Sequence, residues 1–197
     1  MKTCKLLVLL AALLAPAIAS GDPSSERPAR GVNVSAGGGL VQFVDRDMRG
    51  RAAEGGGWEV RLGVGTRTPL TIEAAYVGSL HALDALGLDA RASLLGTGVE
   101  GDLRLNMLTG DLQPYALAGV GWTRYSLVHR GASTSDVADH DNVGALPMGV
   151  GVTLRQDALT LDVRAVYRRT IAVDMFPGAS DDSLATWSAT LRVGFEY

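Results

Sequence analysis

The chain has 197 residues, with 18 Lys and Arg against 21 Asp and Glu, a net charge of −3 and an apolar share of 47%. That length suits a single domain, and the acidic balance, with no basic patch or stripe, excludes nucleic acid as a partner. One cysteine, Cys4, excludes a disulfide framework.

Residues 1–19 read as a cleaved secretory signal peptide. Lys2 and Lys5 supply the positive start, Leu6 to Leu14 the apolar run, and Ala17-Ile18-Ala19 the small residues a signal peptidase requires. Those lysines are the only two in the chain, so the remainder carries 16 Arg against 21 acids, a charge of about −5. No later stretch approaches the roughly 20 apolar residues of a spanning helix. Residues 20–30, with Pro23, Pro28 and several Ser and charged side chains, read as a flexible leader, and residues 31–197 as the domain.

Within that domain eight segments alternate apolar and polar residues with the period of two that marks a strand. They run from Gly31 to Phe43, Gly57 to Thr68, Leu70 to Leu80, Ser93 to Asn106, Leu112 to Leu127, Asn142 to Arg155, Leu159 to Thr170 and Ser183 to Tyr197. Each is long enough to cross a bilayer as a tilted strand, which takes roughly 9–11 residues. Residues 112–127 are ambiguous in phase, because Tyr115 and Leu117 alternate against Val120 and Trp122. A bulge at Gly119 or Gly121 would reconcile them.

The connections alternate in length. After the second, fourth and sixth segments come turns of about one to five residues, and after the others about 12–14, the pattern of an antiparallel barrel with short periplasmic turns and long external loops. Thr68-Pro69, Thr109-Gly110-Asp111 and Gln156-Asp157-Ala158 supply the turn chemistry. Glycines inside the segments suit the inner wall of a narrow barrel. Trp58, Trp122, Tyr125, Tyr167 and Trp187 fall toward the long-loop end, and Tyr115, Phe195 and Tyr197 toward the turn end, as two interfacial aromatic bands do. Phe43 is out of phase with Leu40. The fold predicted is all-β, an eight-stranded antiparallel up-and-down transmembrane β-barrel.

The length, the leader, the stretch Gln113-Pro114-Tyr115-Ala116-Leu117-Ala118-Gly119-Val120-Gly121 and the closing Phe195-Glu196-Tyr197 make the chain resemble the small outer-membrane barrels of the outer-membrane protein A and X type. The resemblance implies a place in the outer membrane of a Gram-negative bacterium, contact with its lipids and lipopolysaccharide, and a terminal strand, with Phe195 and Tyr197, that the barrel-assembly machinery reads. It also implies a chain that ends with its barrel, without the peptidoglycan-binding domain of longer members.

If the apolar face meets lipid, the lumen is lined by Glu59, Arg61, Arg67, Glu73, Glu100, Asp102, Arg104, Arg155, Asp162, Arg164, Arg168, Arg192 and Glu196. Seven Arg against six carboxylates predict a paired network that plugs the bore, because buried charges persist only when paired. A narrow gated channel and a soluble periplasmic lipocalin-like barrel, with its faces exchanged, are the alternatives. His81, His129 and His140 fall in or beside outer loops. Asp139-His140-Asp141, with Ser126 and His129 as the nearest further pair, makes neither a catalytic constellation nor a metal signature. Met148 falls on the lipid face. No catalytic, cofactor or metal residues are assigned, and the chain is expected to be a monomer without enzymatic activity. Its role is then structural, or lies in surface interactions through four long loops, whose partner the sequence does not identify.

Overall fold

The computed structural model describes residues 31–51, 54–83, 92–128, 140–171 and 184–197. The expected signal peptide and leader lie outside them. Eight strands, β1 (Val32–Phe43), β2 (Gly55–Val64), β3 (Leu70–Leu83), β4 (Ala92–Asn106), β5 (Leu112–Val128), β6 (His140–Gln156), β7 (Leu159–Ile171) and β8 (Thr186–Glu196), form one closed barrel. Each pairs antiparallel with its sequence neighbours, and β1 closes on β8 from Asn33–Glu196 to Phe43–Thr186. The seam ends in two backbone hydrogen bonds between Val32 and Tyr197, 2.8 and 3.0 Å. Closure leaves no strand edge, which is what a sheet in lipid requires, since hydrocarbon satisfies no N–H or C=O.

β8 shows how the alternation builds the wall. Thr186, Ser188, Thr190, Arg192 and Glu196 are buried, whereas Trp187, Leu191, Val193 and Phe195 are exposed. The same inversion runs round the barrel, with Ile72, Val99, Leu103, Val120 and Val150 outside and charges inside. A lipocalin-like barrel needs the opposite assignment of faces, so that alternative is corrected here. No described helix is long and apolar enough to cross a membrane.

Three local expectations change. β2 stops at Val64, not Thr68, because Gly65 takes a φ of +85° that turns the chain, and Thr68 donates its hydroxyl back to the Gly65 carbonyl at 2.8 Å. β5 carries no phase-switching bulge: its pairing with β4 is unbroken. Pairing with β6 lapses only at Gly119 and Val120, opposite Pro147 and Leu146, and resumes in the same register. Proline supplies no N–H, which accounts for a gap without a shift. Tyr115 and Leu117 therefore point inward and Val120 and Trp122 outward.

The connection after β1 holds a single turn of helix, α1 (Arg46–Arg51), which the strand pattern does not anticipate. Asp45 caps it, accepting the Met48 N–H at 3.0 Å on its carboxylate. Short turns at 65–69, 107–111 and 157–158 join the strands at one end of the barrel. Asp157 takes the tightest of these turns with a φ of 54°.

Candidate functional site

The inward faces of the strands deliver every predicted lumen charge but Arg67 to the bore; Arg67 comes from the 65–69 turn, and it and Arg168, toward the two ends, are the only ones of the set not almost fully buried. At the turn end Glu196 accepts hydrogen bonds from Arg67 and, at 2.5 Å, from Arg155. Arg155 also donates to the Thr66 carbonyl and to Gln113, both at 3.2 Å. One level higher, Arg104 reaches Asn106 at 2.6 Å and Glu73 at 3.4 Å, and its guanidinium lies 3.7 Å over the Tyr115 ring.

The middle of the bore is densest. Glu73 is bound by Arg61 at 3.2 Å and Arg164 at 3.1 Å. Asp162 accepts from Arg192 at 2.5 Å, Thr153 at 2.6 Å, Tyr115 at 2.9 Å and Arg164 at 3.4 Å. Arg192 also faces Glu59 at 3.3 Å. Arg61 is the hub. One Nη pairs with Asp102 and Glu73, and the other with Glu59 at 3.0 Å and Glu100 at 3.2 Å. Toward the loop end Arg168 donates to Glu100 at 2.5 Å and to Ser188 at 2.6 Å. Hydrogen-bonded contacts thus run the length of the lumen from Glu196 to Glu100. A cavity of about 40 Å³ lies above the densest layer, beside Tyr125 and Arg168, and one of about 20 Å³ below it, beside Arg192 and Arg155.

Several lumen residues escape the reading of charges alone. Gln113, Asn106, Thr153, Ser188 and Thr190 are buried partners of the ion pairs. Their signal was the inward phase: Asn106, Thr153 and Thr190 stand two residues from Arg104, Arg155 and Arg192, Ser188 four from Arg192, and Gln113 two from Tyr115. Tyr115 and Tyr125 are corrections to the aromatic bands. Tyr115 is 1% exposed within the lumen, and Tyr125 stands over Gly96 on the inner wall. Among the described residues, the aromatic side chains exposed on the outer face are Trp58, Tyr76, Trp122, Tyr167 and Trp187, with Phe195 and Tyr197 at the turn end. Phe43 faces inward and packs against His81, ring centroids 4.7 Å apart. His81 is correspondingly a buried residue of β3 and not a loop residue. Met148 lies outside, half-exposed. His129 and Asp139 lie outside the described residues, as do the side chains of His140 and Asp141.

The model of the outer-membrane protein β-barrel domain matches residues 6–197. The chain belongs to that family. No curated protein sequence matches it. Among solved structures it is similar to Neisserial surface protein A, at 14% identity and a TM-score of 0.59, over 86% of this chain and 97% of that one. A major outer membrane protein of Thermus thermophilus shares 14% identity at a TM-score of 0.57, over 86% and 100%. Ail, the attachment invasion locus protein of Yersinia pestis, solved with the heparin analogue sucrose octasulfate, shares 10% at 0.53, over 85% and 97%. At these identities the likeness establishes a common fold, and family membership makes this protein an outer-membrane barrel.

Proposed function

We propose that this protein is a non-conducting outer-membrane anchor whose lumen is closed by its own ion pairs and whose long connections act at the cell surface. The observation that carries the reading is the position of Arg61, 2% exposed at the middle of the bore and shared among Glu59, Glu73, Glu100 and Asp102. An eight-stranded barrel is wide enough only for its side chains to fill. Ions would have to displace charges that already satisfy one another in a region where water is scarce, a costly step.

The remaining roles follow from placement. Residues 1–19 direct export and are removed. Phe195 and Tyr197, on the lipid face of the closing strand, serve as the assembly signal. The outer face meets lipid, and its loop-end rim meets lipopolysaccharide. The barrel works as a monomer, since closure leaves no edge for a partner strand. None of these placements gives the chain a catalytic centre.

Two measurements, one on intact cells and one on liposomes, test this. Protease added to intact cells should trim the long connections and leave a protected barrel fragment, and liposomes containing the protein should swell no faster in small sugars than empty ones. Cleavage only after the envelope is opened, or rapid swelling, would contradict the reading.

A further inference from the structure

The outward phase of the strands is uncharged with one exception. Among the described strand residues, Arg124 on β5 and Arg169 on β7 are the only charged side chains on that face, and both are exposed. Each stands two residues beyond an exposed aromatic of the same face, Trp122 and Tyr167, on the side away from the short turns. A charge on the lipid face is costly at the bilayer midplane and tolerated only near an interface, so the two arginines mark the headgroup level above an aromatic belt.

The register gathers them around β6. Arg124 pairs with Asn142 and Arg169 with Leu146, and the outward residue between these two, Gly144, pairs with Trp122 and Ile171. Gly144 puts no side chain between the arginines, and Asn142 adds an exposed amide beside Arg124. The rim of β8 and β1 is different. There Trp187 donates to Gln42 at 3.1 Å and Gln42 to Glu54 at 3.5 Å, a chain that ends on a carboxylate. Outward positive charge on the strands is thus confined to the β5–β7 sector.

Below that sector the wall is apolar and exposed, with Val120, Met148 and Val150. A ligand that meets both levels is an anion joined to hydrocarbon, and guanidinium forks match phosphate oxygens with paired N–H···O bonds. We infer that Arg124 and Arg169 hold a phosphate of an outer-leaflet glycolipid, whose acyl chains lie against the β5–β7 wall. Free phosphate would leave the apolar wall unused. The site deepens the lipopolysaccharide contact proposed above and rests on the orientation given there.

The test titrates the full barrel in detergent with lipid A, either phosphorylated or stripped of its phosphates, and counts bound lipid by native mass spectrometry. The phosphorylated form should bind more tightly. Arg124→Ala and Arg169→Ala should each weaken it roughly fivefold and leave the stripped form unchanged. Equal affinity of the unaltered protein for the two lipids would overturn the site without recourse to a variant. So would a doubly substituted barrel, still heat-shifted on a gel, that holds the phosphorylated lipid as well as the unaltered one. Protease treatment of intact cells separates the two proposals. Long connections protected inside the envelope count against the orientation, whereas accessible connections with phosphate-blind binding count against this site alone.

Discussion

A guanidinium with four carboxylate partners cannot be removed quietly. Arg61→Ala would leave Glu59, Glu73, Glu100 and Asp102 sharing one cation fewer at 2–5% exposure. Removing one partner of such a buried cluster costs about 3–5 kcal/mol, read as a lower midpoint of urea unfolding in lipid vesicles. Arg61→Lys should recover only part of the loss, because an ammonium is a point charge and cannot fork between two pairs of oxygens. Gly151 tests the neighbouring contact. A Cβ there would stand 2.3 Å from the Tyr115 hydroxyl, so Gly151→Ala should push Tyr115 off Asp162 and cost about 1–3 kcal/mol by the same measurement. The lumen charges were legible because each falls on the polar phase of an alternating segment. Tyr115 and Tyr125 were not: a tyrosine has an apolar ring and a polar tip, so period two alone does not say which face it takes. Only the unbroken β4–β5 register decides it.

At the scale of the element, β8 carries both faces of the barrel wall in 11 residues. Leu191, half-exposed near its centre, should tolerate Arg poorly, at about 2–4 kcal/mol, since a charge at the bilayer midplane meets only hydrocarbon. Deleting Phe195 to Tyr197 would remove the two backbone bonds to Val32 and the Glu196 carboxylate that Arg67 and Arg155 share. The folded, heat-shifted band of the outer-membrane fraction should then fall several-fold on gel electrophoresis, relative to the full chain. Most strand limits were readable to within a few residues. β2 was the exception, because Thr66 and Thr68 continue a strand-like composition past the point where Gly65 turns the backbone. The helix α1 was hidden for a related reason. A single capped turn has no periodicity to detect, only the Asp45 at its start.

For the whole molecule, sorted connections and inverted faces were enough to anticipate the barrel, because both follow from spanning a bilayer with a closed sheet. The connectivity among the charges was not legible, since β-strand phase says that a side chain faces the lumen and not which of six acceptors it meets. Nor does the sequence disclose the two lumen cavities, which depend on where five nearly buried guanidiniums settle among their partners. The proposed closure of the barrel to ions by this packed interior is tested most directly by single-channel recording in planar lipid bilayers. Insertion of the unaltered protein should produce no conductance steps above the bare bilayer, at either polarity. Sustained, ohmic openings of the unaltered protein would contradict it.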